Sequence, residues 1–250
     1  DLGLLDFVRK EPDIKLFLNT SVYDVEMKEN EPLPSSEAQS SGEMASVIGR
    51  QLTSERVYRF ESPLFLDSSG DGLVGKLAGA DYRVGREGKD EFNESIAPEK
   101  ADSVTLGSTI FFYVKDLGKP VRFVPPSFAY SIEEIEEIIS RRPGYRLSES
   151  KWGCHYWWFE YGGLMDTIKD SEDIAYELQR FVYGVWNYIK NSGKFDAENL
   201  TLEWVGNIPG KRESRRFLGD YILNENDLIM QRRFPDAVCY GGWSIDTHPP

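Results

Sequence analysis

Gly70-Asp71-Gly72-Leu73-Val74-Gly75 carries the G-x-G-x-x-G interval with which a strand-to-helix turn can admit a pyrophosphate. In such a turn the glycines allow a tight bend and a close backbone approach. The preceding run Ser62-Pro63-Leu64-Phe65-Leu66-Asp67 reads as a short buried strand, and Leu73, Val74, Leu77 and Ala78 follow at helical spacing. Strand, turn and helix are therefore in the order that offers free N–H groups at a helix N-terminus to an anion. A first mononucleotide unit also requires a second apolar strand bearing an acid about 20 residues on. The stretch from Asp81 to Asp90 is instead charged and interrupted by glycine. The turn thus reads as one edge of a ligand site rather than an opening dinucleotide fingerprint. A second reading stands beside it: Asp71 caps a helix and the glycines supply turn geometry alone.

Two further stretches hold chemically useful side chains. Residues 151–163, KWGCHYWWFEYGG, gather Trp152, His155, Tyr156, Trp157, Trp158, Phe159 and Tyr161. Aromatic density of this kind makes a wall for a flavin, a sugar or another ring, and it also makes ordinary cores. His155 has the intrinsic pKa of a base or donor near neutrality, or serves as a hydrogen-bonded structural residue. Residues 210–220, GKRESRRFLGD, place Lys211, Arg212, Arg215 and Arg216 together in a chain whose formal net charge is −13. Arginine suits bidentate contact with a planar oxyanion, while Glu213 and its neighbours offer internal neutralisation.

The same excess of acid argues against nucleic acid or an anionic membrane as partner, since both demand concentrated positive charge. Cys154 and Cys239 are the only cysteines, too few for a disulfide framework or a cysteine metal cluster. No apolar run is long enough to span a bilayer. No P-loop, nucleophile elbow or metal motif is present. With 42 acids, no single carboxylate pair stands out as glycosidase machinery, because spatial separation decides that chemistry.

The elements that position these groups follow from patterning. An opening helix carries Leu2, Leu5 and Val8. Residues 14–27, then ASVIGRQL and RVYRFESPLFLD, read as strands, with a polar Pro/Ser-rich loop between the first two. Residues 102–114 form another strand. Ser131 and Glu134 make a capping-box pattern ahead of Ile132, Ile135 and Ile139, and Pro143-Gly144 stops that helix. The longest helix runs from about Glu172 to Lys190 on the stripe Ile174, Leu178, Phe181, Val185, Ile189, with Trp186 beside it as core. The chain begins at Asp1 inside a helical pattern, without a readable targeting segment, and ends at IDTHPP; it reads as the central stretch of a longer protein.

FLDSSGDGLVGKLAGADYRVGREGKDEFNES, DTIKDSEDI, GVWNYIKNSGKF, LEWVGNIPGKRESRRFLGDYILNENDL and FPDAVCYGGWSIDTHPP together resemble bacterial FAD-dependent oxidoreductases of the xanthan-lyase-like type, within the glutathione-reductase-like flavoprotein group. The resemblance spans nearly the whole chain. It implies that Asp67, Gly70, Asp71 and Gly72 form a turn packed beside FAD, and that backbone near Ser21 and Val22 approaches the adenine side. Such a chain is α/β, an α+β mixture. Residues 1–80 belong to a partial, Rossmann-like FAD-binding domain with a β-meander, and 81–250 to a substrate domain incomplete at its C-terminus.

The implied activity is hydride transfer from an organic, possibly carbohydrate-derived small molecule to FAD. Arg212, Arg215, Arg216 and His248 are the substrate-side candidates. No catalytic base is identified, no metal is implied, and the isolated chain is expected to be inactive and to hold FAD poorly. The competing expectation is a non-catalytic carbohydrate-binding module stacking sugars on Trp157, Trp158 and Tyr161, which leaves the long helix at 172–190 unexplained.

Overall fold

The computed structural model describes residues 2–28, 42–141, 147 and 159–245. Among the described residues there are six helices and small antiparallel sheets, and the chain divides into two compact units. Unit 1 is Asp1–Arg83 with Arg215–Ile222, and unit 2 is Val84–Ser214 with Leu223–Pro250.

Unit 1 opens with α1 (Leu2–Arg9), which has the expected helical pattern but no buried residue. Three strands follow as a consecutive antiparallel meander: β1 (Thr20–Met27), β2 (Met44–Gln51) and β3 (Val57–Glu61). Its aromatic patch sets Phe17 edge-on to Tyr58 and Phe60, with ring centroids 5.1 and 4.8 Å apart. Arg59 spans to Glu26 at 2.6 Å across the sheet.

The buried strand expected at Ser62–Asp67 does not form. This run makes no ladder, and Leu64 and Leu66 are 84% and 92% exposed. An apolar run becomes a strand only where a neighbouring strand accepts its main-chain bonds, and none does so among the described residues. The run leads to α2 (Leu73–Leu77), which packs against β1. The short β4 (Tyr82–Arg83) pairs antiparallel with β7 (Arg216–Phe217), register Tyr82 to Phe217.

Unit 2 holds the main core. α3 (Lys89–Phe92) precedes β5 (Phe112–Asp116), so the strand expected over 102–114 starts later and is preceded only by isolated bridges at Asp102, Ser108 and Thr109. α4 (Ile132–Ser140) begins with the expected capping box: the Glu134 amide donates to Ser131 Oγ at 3.2 Å, and the Ser131 amide donates to Glu134 Oε2 at 2.7 Å. α5 (Ser171–Asn191) realises the long helix and lays Ile174, Leu178, Val182, Val185 and Ile189 into the core. Trp186 is 1% exposed, edge-on to Phe112 and Phe123. Burying each such side chain contributes about 1.5–3 kcal/mol. β6 (Leu200–Val205) pairs antiparallel with β5 above this helix, and α6 (Glu225–Ile229) carries a second capping box from Asn224 to Asp227.

Candidate functional site

The turn at residues 67–75 is built around Asp67. Its Oδ1 accepts the Ser69 amide and its Oδ2 the Gly75 amide, each at 2.9 Å. Ser69 Oγ accepts the Leu73 amide at 2.8 Å. Burial opposes the charged form of Asp67. The Gly75 amide, then Ser69 and the Val74 amide, outweigh it and hold the carboxyl below its ordinary value. A carboxylate of the chain itself thus occupies the position at the start of α2 where an anion would bind.

This geometry refines both readings of the glycine spacing. The N-cap of α2 is Gly72, at φ 63°, not Asp71. Gly72 and Gly75 both face the ring of Phe217: a Cβ on Gly72 would lie 2.7 Å from it, and Gly75 lies against the same ring more closely still, so a side chain at either place would have to displace the ring. Gly70 differs. Its φ is 84°, and among the described residues no atom beyond its chain neighbours lies within 4 Å of the place a Cβ would take. Space over the outer edge of the turn is therefore open at Gly70, while three of its amides are already satisfied within it.

β7 locks the turn from a distant part of the chain. Arg215 donates from Nη1 to the Asp71 carbonyl at 3.0 Å, and its guanidinium lies 5.5 Å from the centre of the Tyr82 ring. Tyr82 meets Phe217 edge-on at 6.4 Å. The Leu218 amide donates to the Asp81 carbonyl at 3.0 Å. No spacing signal in the sequence links these residues to the glycine turn; the cationic composition of 211–216 pointed to Arg215 without its partner.

The cationic knot divides at the unit boundary between Ser214 and Arg215. In unit 2, Arg212 pairs with Glu160 at 2.8 Å, and the Glu160 side chain is 6% exposed. Glu213 accepts the Leu106 amide at 2.9 Å through its carboxylate and the Thr167 hydroxyl at 2.9 Å through its carbonyl. Glu213 thus stitches loops together. In unit 1, Arg216 lies opposite Arg83 in the β4–β7 pair.

Ser21 and Val22 lie on β1 opposite Arg50 and Gly49, just before a register shift between Val22 and Asp24. Since α2 packs on β1, unit 1 brings the strand of Ser21 and Val22 against the helix that follows the turn. His248, His155, Trp157 and Trp158 lie outside the described residues. Of the aromatic stretch, Phe159 is core and Tyr161 is 43% exposed. Among the described residues no group of three or more His, Cys, Asp or Glu side chains is placed to hold a metal ion, and no helix is long and apolar enough to cross a membrane.

Comparison with known families gives the turn its context. The family model described as FAD dependent oxidoreductase matches residues 3–250. The chain belongs to that family, and its cofactor is FAD. The family implies an oxidoreductase acting on a small-molecule substrate. Searches of curated proteins and of solved structures returned no match.

Proposed function

We propose that unit 1 supplies one edge of the FAD site and unit 2 the substrate-side framework of an enzyme that transfers a hydride from an organic substrate to flavin. The observation that carries this reading is the family match over 3–250 joined to the open edge at Gly70. Asp67, Gly70, Asp71 and Gly72 form the cofactor-side turn, and Ser21 and Val22 the adenine-side strand, of a Rossmann-like nucleotide-binding domain. Bound FAD supplies the hydride acceptor. The chain's own part is to present a rigid backbone edge. Asp67 keeps the amides of the turn paired inward, so the turn suits contact along its outer backbone rather than a pyrophosphate cradle at Ser69, Leu73 and Gly75.

On the substrate side we assign Arg212, Arg216 and His248, with a carbohydrate-derived substrate in the bacterial xanthan-lyase-like branch. Arg215 entered as a substrate contact from composition; its bond to Asp71 supports a role in holding the turn. The carbohydrate-module alternative gains no supporting observation: Trp157 and Trp158 lie outside the described residues, and Tyr161 alone of its three rings is described, 43% exposed.

Gly70→Asn tests the reading. Asparagine tolerates the left-handed conformation better than most residues, and the open space at Gly70 accepts its side chain within the fold. In the longest polypeptide containing this chain, flavin absorbance retained after desalting should fall several-fold with little change in thermal midpoint. Full flavin retention in a well-folded variant would remove Gly70 from the cofactor edge.

A further inference from the structure

A cavity of about 280 Å³ in unit 2 is lined by every residue of β6, by residues 121–123, and by Tyr183 and Trp186 of α5. Successive side chains of a strand point to opposite faces. A cavity that touches six consecutive residues therefore runs along the strand's edge, not over one face. Its volume is below the roughly 300–1,000 Å³ of pockets that enclose a whole small ligand. It suits one or two inserted side chains.

The main chain along that edge is available for pairing. The Gly206 amide donates to the Phe111 carbonyl at 2.8 Å, and the Leu117 amide to the Asn199 carbonyl at 3.0 Å. Counting the antiparallel alternation inward from these two ends, through the register shift opposite Tyr113 and Val114, turns the N–H and C=O of Leu202 and Val205 away from β5. Both residues are half-buried. Among the described residues β6 has β5 as its only ladder partner. The bridge from Ser108 to Tyr161 belongs to the β5 side, so among the described residues no strand pairs with the far edge of β6.

The rim adds a charge preference. Two charged residues line the cavity: Glu203 is paired with Lys115 at 3.3 Å, whereas Arg122 is exposed and makes no hydrogen bond or ion pair among the described residues. Trp204, 49% exposed, stands beside Tyr113 with ring centroids 5.5 Å apart. Strand edge, side-chain-sized hollow and exposed cation together define one kind of occupant.

We propose that the β6 edge binds an extended acidic peptide segment of a partner protein as an added strand. Main-chain bonds form to Leu202 and Val205, an apolar side chain of the peptide enters the hollow over Tyr183, and a carboxylate of the peptide meets Arg122. This is strand addition, in which backbone bonds give affinity and alternate side chains give specificity. It involves unit 2 alone and does not depend on the flavin reading.

The probe is a fluorescein-labelled, acetylated peptide of about eight residues alternating glutamate and valine, followed by anisotropy against the full chain. Saturable binding is expected, weakened at least about tenfold when alternate peptide amides are N-methylated, which removes the strand bonds but keeps the charge. Arg122→Glu should weaken the glutamate peptide about tenfold and favour a lysine–valine peptide instead, with an unchanged thermal midpoint. Absence of saturation to about 1 mM, or equal binding of the N-methylated peptide, overturns the proposal. So does sedimentation showing that the same edge pairs with a second copy of the chain and that Arg122→Glu leaves peptide binding intact.

Discussion

Phe217 lies against Gly72 and Gly75 so closely that a Cβ on Gly72 would stand 2.7 Å from its ring. Two of the three glycines in the G-x-G-x-x-G interval therefore face a phenylalanine far along the chain, and Gly72 also holds a left-handed conformation, φ 63°. The interval resembles a cofactor fingerprint, and in this fold part of its cause is side-chain packing.

Gly75→Ala should lower the thermal midpoint. In an open helix the change would help by about 1 kcal/mol. Overpacking against Phe217 costs about 1–3 kcal/mol and reverses the sign. With Phe217→Ala already present, the penalty of Gly75→Ala should shrink, because neighbouring substitutions are not additive. Equal penalties in both backgrounds would exonerate the ring.

Asp67 makes the turn acid-sensitive. Its pKa is held below the ordinary 3.8 when folded, so its contribution is present above the unfolded value and disappears as pH falls through the folded one. Asp67→Asn should cost stability at pH 7, and the gap to wild type should close as the medium is taken from about pH 5 to below 3. Thermal melts across that range decide it; a gap independent of pH would mean the carboxylate charge is irrelevant.

Arg215→Ala removes a charge-assisted bond to the Asp71 carbonyl, which typically contributes about 1.5–3 kcal/mol. Retained flavin and thermal midpoint should fall together, and Arg215→Lys should restore part of both. Arg216→Ala, at the first residue of β7, should slow turnover by more than it lowers the midpoint. Normal turnover in Arg216→Ala would remove it from the substrate side.

Ser131→Ala breaks the capping box of α4 and should cost about 1 kcal/mol, measured by denaturant unfolding. Ser131→Asp, which can accept the same amide, should recover most of it. No loss on alanine substitution would show that packing of Ile135, fully buried, fixes the helix start without the cap.

Legibility followed sequence distance. The α4 cap and the α5 stripe are local patterns, and Ser131, Glu134, Ile174, Leu178, Val185, Ile189 and Trp186 occupy the places that spacing assigns them. Phe181 is only partly buried, with Val182 taking the deeper position, a shift of one residue on the same face. The misread strand at 62–67 failed because strand formation needs a partner, and an apolar run does not say whether one is near. The turn was visible as glycines, but its determinants, Arg215 and Phe217, are joined to it by chain reversal over more than a hundred residues. No periodicity encodes such a meeting.

The pairing of Tyr82 with Phe217 also has a consequence for synthesis. Unit 1 cannot be completed when its first 83 residues have left the ribosome, because the strand that braces its turn is made only after Ser214. The intervening stretch carries the buried core of unit 2 and can collapse around it while translation continues, although Leu223–Pro250 joins that unit only later. Closing so long a loop costs little more entropy than closing a shorter one, since the cost grows only with the logarithm of length. During that interval the glycine turn waits without Phe217 above it, and the exposed Leu64 and Leu66 precede it in an unbraced chain. Nascent chains stalled before residue 215 should therefore be cut by protease around the turn, and those stalled well beyond 222 should resist.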